Sequence, residues 1–351
     1  MIRIDGSQKS GSGTIVRDAV PFAVLTGQSL HLFNIRARRK NPGLRAQHVT
    51  AIRACAQMCG GRLKGDAVGS SEIYFSPGDR IRGGHYRWDI GTAGSTIMLA
   101  MAVLPLALFA EAPSEFHIVG GVFQDFAPSA FHFQQLFLPL LRKMGIRVEL
   151  EIVRPGYVPV GEGEIRLRVQ PHGGPLRSLE LLGSGHLENV RGIALSSHLR
   201  ERRVSHRMAD ACLQELQKEG IAAKIERVYD EADDPAFRRP SVQPGAALAI
   251  WAQTSWNGYL GADMAGKPGR RAEWIGQQVA RQLVADWKTG ATVDRYLADQ
   301  LIPYAAMAKG ITRYRIPECT DHVDARLWLV EQFFQVSTRL EGKVLEIVGR
   351  G

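Results

Sequence analysis

Between Val293 and Phe334 the chain gathers a tyrosine, an aspartate, a glutamine and a histidine in one stretch, VDRYLADQLIPYAAMAKGITRYRIPECTDHVDARLWLVEQFF. Tyr296, Asp299 and Gln300 fall within about one and a half helical turns. Tyr296 and Asp299 are three positions apart, which puts an aromatic ring and a carboxylate on one helix face. His322 follows the strand-to-turn segment IPECTD. A neutral imidazole is a competent nucleophile near neutral pH. Taken alone, however, one histidine in a loop is as compatible with packing as with chemistry.

Two other groups of residues suggest anion binding. The turn DGSQKSGSGT precedes a helical pattern at Ile15, Val16, Val20 and Ala23, and free amides at such a helix start favour an anion. The turn fits neither GxxxxGK[ST] nor GxGxxG, so by itself it says little. Arg36, Arg38, Arg39, Lys40 and Arg45 surround the turn Asn41-Pro42-Gly43, and Arg80, Arg82, His85 and Arg87 precede GTAGST. Basic loops that lead to helix starts predict a phosphate-binding patch.

The elements that must position these groups follow from periodicity. Ile2 to Ile4 and Leu30 to Asn34 read as strands, and Val49, Ile52, Ala56 and Cys59 read as a helix stopped by Gly60-Gly61. A second copy of this helix-then-hairpin pattern begins at LFLPLLRKMG. In it Ile146, Val148, Leu150 and Ile152 alternate with charged residues, as do Ile165, Leu167 and Val169. A third helix is expected from Arg271 to Trp287, ahead of the polar cluster. Such units predict an α+β fold with helices on one side of the sheets. The run from His186 to Thr254 reads strand, helix, strand, strand, and so predicts a small inserted domain.

Composition bounds the class. With 351 residues, 45% of them hydrophobic and 23% charged, the chain is globular and too long for one small core. A net charge of +9 leans towards a polyanionic partner. The four cysteines form no CxxC pair, so neither a zinc site nor a disulfide framework is expected. The apolar run Ile97 to Ala110 is too short to span a bilayer and contains Pro105. A cytoplasmic protein with no membrane association is the expectation.

Six segments make the chain resemble the RNA 3′-terminal phosphate cyclase family: IDGSQKSGSGTIVRDAV, RARRKNPGLRAQHVTAI, YRWDIGTAGS, GYVPVGEGE, GATVDRYLADQLIPYAAMA and ECTDHVDARLWLVEQFF. The resemblance implies a large domain of three repeated four-stranded-sheet/two-helix units, over residues 1–179 and 276–351, with a smaller inserted α/β domain over 180–275. It implies a reaction in which ATP and an RNA 3′-phosphate give a 2′,3′-cyclic phosphate, AMP and pyrophosphate. His322 matches the catalytic histidine that carries AMP. The run Tyr296, Leu297, Ala298, Asp299 and Gln300 matches the adenylate-binding segment, and Pro128 matches a proline on the other face of adenine. Arg17, Arg38, Arg39 and Gln47 match segments that hold the triphosphate or RNA phosphates.

The chain also departs from the family's pattern. Ser10 stands where relatives carry a metal-binding glutamate, Thr14 where they carry glutamine, and Met101 where a glutamine serves ATP. A divalent metal, Mg or Mn, is implied, but its ligands stay unassigned, because a serine cannot replace a carboxylate's charge at a hard cation. Two other readings remain at this stage: a non-catalytic RNA-binding relative, and adenylation of a nucleic-acid 5′-phosphate. The oligomeric state is open.

Overall fold

Ile15, Val16, Ala19, Val20 and Ala23, the apolar stripe nearest the N-terminus, are all fully buried. In the computed structural model, which describes residues 1–351, they form the inner face of a helix that opens the first of three equivalent units. Unit one runs β1 (Ile2–Asp5), α1 (Gly13–Thr26), β2 (Leu30–Phe33), α2 (Ala46–Cys59), β3 (Arg62–Lys64) and β4 (Ile73–Ser76). Unit two runs β5 (Gly84–Asp89), α3 (Thr96–Ala107), β6 (Ser114–Gly120), α4 (Ala130–His132), a π-helical turn at Phe133–Phe137, α5 (Leu138–Lys143), β7 (Val148–Arg154) and β8 (Gly163–Val169).

Unit three begins with the short strands β9 (Leu176–Arg177) and β10 (Glu180–Leu181), and is then interrupted. The insert comprises β11 (Leu187–Ser197), α6 (Val204–Lys218), β12 (Ala223–Asp230), β13 (Gly245–Thr254), β14 (Tyr259–Ala265) and α7 (Ala272–Lys288). Unit three then resumes with α8 (Leu297–Gln300), α9 (Ile302–Met307), β15 (Ala308–Arg315), α10 (Asp321–Phe334), β16 (Ser337–Glu341) and β17 (Val344–Arg350).

The sheet orders establish the repeat: β1-β2-β4-β3, β5-β6-β8-β7 and β10-β15-β17-β16. In each, the first two strands are parallel and the remaining neighbours antiparallel. A parallel pair needs a crossover, supplied by α1 and α3 in the first two units, whereas β3–β4, β7–β8 and β16–β17 close as antiparallel hairpins. The period-two pattern of unit two appears directly in the register, with Leu150 opposite Leu167 and Ile152 opposite Ile165. The helices of different units meet one another, α1 packing on α3 and α10 as well as on α2 of its own unit. The α+β repeat fold is therefore as expected. No helix is long and apolar enough to cross a membrane.

The insert has its own four-stranded sheet, in the order β12-β11-β13-β14, and its own apolar cluster. The expected boundary at 275/276 falls inside α7, whose Ile275, Val279 and Leu283 belong to that smaller cluster with Met208, Cys212 and Leu248. The helix expected to serve the third repeat thus covers the insert's sheet, and α8 to α10 serve unit three. An amphipathic pattern marks a buried face without saying which core receives it.

The α6–α7 crossing is close at Gly276, where a Cβ would run into the Met208 carbonyl and lie 2.8 Å from Cys212 N. Replacing glycine by alanine inside a helix is ordinarily stabilising. Here Gly276→Ala is expected to destabilise the protein by about 1–3 kcal/mol through overpacking, measurable by denaturant unfolding.

Candidate active site

Thr14 and His322 lie 308 positions apart in sequence, yet Thr14 Oγ1 sits 2.9 Å from His322 Nδ1. Each is in the first turn of its helix. Ser12 caps α1 by accepting from Thr14 N, and Thr320 caps α10 by accepting from Val323 N. One turn further along both helices, Arg326 Nε donates to Asp18 Oδ2 at 2.8 Å. The parallel helices α1 and α10 are therefore joined by two rungs of side-chain contact, and their N-termini open into one place. Gly13 at the α1 start has no room for a Cβ, which would run into the His48 ring.

That place is a cleft of about 430 Å³ at the junction of all three units and the insert. Unit one lends Thr14, Arg17 and Asp18, and unit two lends Met101 and the loop from Gln124 to Pro128. Unit three lends Tyr296, Asp299, Gln300, His322 and Arg326, and the insert lends Asp263, Arg270 and Gln282.

Charges in the cleft are nearly all matched. Arg326, buried, also donates through Nη1 to Asp299 Oδ2 at 2.8 Å, so one guanidinium holds two carboxylates. Burial alone would lower the Arg326 pKa, but Asp18 and Asp299 outweigh it and the net shift is upward. For Asp299 burial dominates over Arg326 and its pKa is raised. Arg270 grips Asp125 with two bonds of 2.8 Å. Arg17 has no such carboxylate bond. It touches Thr14 Oγ1 at 3.3 Å and the His48 ring at 3.4 Å, and burial lowers its pKa to about 10, which leaves it charged at neutral pH.

His322 is pushed the opposite way to a paired histidine. Burial lowers its pKa below the usual 6.5, Asp299 offsets part of this, and the cations Arg326, Arg17 and Arg39 add to the depression. A position in the first turn of α10 also disfavours the imidazolium. The ring is therefore neutral at physiological pH, with Nδ1 engaged by Thr14 and Nε2 without a protein partner.

The Tyr296 side of the cleft is fixed by a second buried pair. His132 Nε2 lies 3.0 Å from Asp294 Oδ2, both side chains fully buried. Asp294 Oδ1 accepts from the backbone N–H groups of Tyr296 and Leu297, each at 2.9 Å. Burial opposes charge on His132, yet Asp294 raises its pKa overall. The His132 ring meets the Tyr296 ring edge-on, with centroids 5.5 Å apart. Pro128 enters from a loop whose Ser129 N–H donates to Asp263 at 2.8 Å. Three glutamine amides on the wall, Gln124, Gln282 and Gln300, each carry a buried polar atom with no partner. Water or a ligand's polar groups would satisfy such amides.

The residues singled out from sequence divide into four sets. His322, Tyr296, Asp299, Gln300, Pro128, Arg17, Thr14 and Met101 all line the cleft. Leu297 and Ala298 are fully buried in the core, so their side chains face packing rather than the cleft. Arg38 and Gln47 support the site: Arg38 donates to Lys9 O at 3.0 Å over the glycine-rich turn, and Gln47 Oε1 accepts from Ser95 N at the start of α3. Arg39 is exposed and reaches the site only as a charge near His322. Asp18, Arg326, His132, Asp294, Asp263, Arg270, Gln124 and Gln282 were not singled out. The pairs Thr14/Asp18 and His322/Arg326 do have a readable i, i+4 spacing, but nothing local says that they pair.

Ser10 is buried and lies 2.9 Å, oxygen to oxygen, from Ser12. No group of three or more His, Cys, Asp or Glu side chains is arranged to hold a metal ion. The cleft carboxylates Asp18 and Asp299 are already held by Arg326.

The sequence matches the RNA 3′-terminal phosphate cyclase family over residues 8–340. It is similar to proteins named RNA 3′-terminal phosphate cyclase from Methanopyrus kandleri and Pyrococcus furiosus. The first is 37% identical over 345 residues, 98% of this chain and 96% of that protein. The second is 36% identical over 351 residues, 99% of this chain and 96% of that protein. A bacterial protein of the same name, from Nitrosospira multiformis, is 37% identical over 336 residues, 96% of this chain and 92% of its own length.

Arg326→Met would leave Asp18 and Asp299 buried without their counter-charge. The expected cost is about 3–5 kcal/mol of folding stability, measured by denaturant unfolding, with a smaller loss for Asp299→Asn because the Asp18–Arg326 rung remains.

Proposed function

The chain belongs to the RNA 3′-terminal phosphate cyclase family, and from that premise we propose that it uses ATP to convert an RNA 3′-phosphate into a 2′,3′-cyclic phosphate through a covalent His322–AMP intermediate. The observation that carries the reading is the state of His322: on the cleft wall, neutral through burial, and bonded at Nδ1 to Thr14. With Nδ1–H donating to Thr14 Oγ1, the lone pair is left on Nε2, the nitrogen without a protein partner.

Adenine enters between Tyr296 and Pro128, and the unsatisfied amides of Gln124, Gln282 and Gln300 supply polar contacts to the nucleoside. The phosphates lie towards the converging N-termini of α1 and α10, where free amides and the dipoles favour anions. Arg17, the cleft arginine without a carboxylate bond, is placed to stabilise them. Nε2 attacks the α-phosphorus, the P–N bond forms, and pyrophosphate leaves with its bonding pair. An oxygen of the RNA 3′-phosphate then attacks the AMP phosphorus and releases the imidazole. Finally the 2′-hydroxyl attacks the activated 3′-phosphorus, losing its proton and expelling AMP. The chain's net charge of +9 suits a nucleic-acid substrate.

The direct test is incubation with ATP labelled in the α-phosphate. Acid-labile label should appear on the protein and be absent in His322→Ala. No label with any divalent ion would contradict the reading and favour an RNA-binding protein without turnover. Offering 3′-phosphate and 5′-phosphate oligonucleotides in one assay checks which end accepts AMP, and only the 3′-phosphate should be consumed.

Two further outcomes follow from the imidazole's setting. Its lowered pKa means that protonation, which removes the attacking lone pair, occurs only at lower pH. The acid limb of the adenylation rate should therefore lie below pH 6.5. Thr14→Val removes the partner of Nδ1 and should slow adenylation by roughly an order of magnitude, the value of one such hydrogen bond, while Thr14→Ser retains most of the rate.

A further inference from the structure

Phe126 stands in the loop between β6 and α4, at the mouth of the cleft, and its side chain is fully exposed. Its φ is +63°, a left-handed conformation that is uncommon for a bulky residue and costs free energy. Neither feature serves folding. The loop is nonetheless firmly held on both sides of Phe126. Asp125 takes the forked bonds from Arg270, and the Ser129 N–H donates to Asp263. Phe123 and Phe131, at the loop's roots, are buried and packed at a tilt of 42° with centroids 4.9 Å apart. The ring is thus presented outward by an anchored scaffold.

We propose that Phe126 is a stacking platform for the terminal nucleobase of the RNA strand whose 3′-phosphate meets His322. This rests on the function proposed above and adds the residue that grips the RNA end. A lone aromatic ring among charged neighbours suits a nucleobase, which offers a π-face whatever its identity and brings phosphates with it. The cation at this end of the loop is Lys267, whose Nζ is 3.9 Å from Asp125 and whose side chain is well exposed, whereas Arg270 is committed to Asp125. The adenine of ATP is the other base available. Tyr296 and Pro128, each only partly exposed, form its slot, whereas the Phe126 ring on the same cleft is fully exposed.

The test uses the full chain carrying Phe126→Ala, Phe126→Trp or Phe126→Gly, with 3′-phosphate oligonucleotides whose terminal nucleotide is normal or abasic. Phe126→Ala should weaken binding of the normal oligonucleotide about tenfold, read by fluorescence anisotropy, and Phe126→Trp should restore it. The abasic end should weaken binding to the unmodified protein by the same factor and have no further effect on Phe126→Ala. Phe126→Gly should lose RNA affinity while raising Tm, since glycine relieves the positive φ. Protein adenylation by ATP should be unchanged in all three variants. If Phe126→Ala instead slows adenylation or raises its ATP requirement, the ring serves adenine and the proposal fails. Equal RNA binding by Phe126→Ala and the unmodified protein also overturns it. Because anisotropy needs no turnover, an unlabelled protein would count against the cyclase reading while leaving this result interpretable.

Discussion

Two contacts between α1 and α10, Thr14 to His322 and Asp18 to Arg326, hold the candidate site together. They join the first unit of the chain to the last, and they do so between parallel helices whose dipoles side by side repel. The lower rung offsets this with a buried ion pair that Asp299 extends into a triad. One guanidinium matches only one of the two carboxylate charges, and burial raises the Asp299 pKa. The consequence at the upper rung is chemical. Two helix N-termini converge on one point, and the histidine there is neutral, desolvated and bonded at one nitrogen.

The rest of the cleft is arranged around that point. Asp294 receives the Tyr296 backbone and is itself held by buried His132, so the aromatic wall is set by unit two although the tyrosine belongs to unit three. The insert contributes Asp263, Gln282 and Arg270, and through Asp125 it also fixes the loop that carries Pro128 and Phe126. With Asp18, Asp299 and Asp125 already bonded to arginines, Arg17 is the cleft arginine left without a carboxylate bond, next to a neutral histidine.

Much of this was legible in the sequence because it is local. Period-two strands such as Leu150/Ile152 against Ile165/Leu167, and the helical stripe of α1, appear as predicted. The polar run from Tyr296 to Gln300 was visible too, but such a run mixes ligand-facing and packing positions. Leu297 and Ala298 turn inward, and only burial distinguishes them. The destination of α7 was not legible, since its apolar face fits either core. Nor were the Asp18–Arg326 rung and the His132–Asp294 pair, which join residues far apart in sequence with no spacing rule between them. The exposure of Phe126 follows from a backbone conformation that no side-chain pattern encodes.

The central claim is that the α1–α10 ladder delivers His322 as a neutral ring protonated at Nδ1. Nitrogen-15 NMR of the histidine rings across a pH titration reads this directly. The account predicts that His322 titrates below 6.5 and that its neutral form carries the proton on Nδ1, with that preference lost in Thr14→Val. A pKa at or above 6.5, or a neutral ring protonated at Nε2, would contradict it.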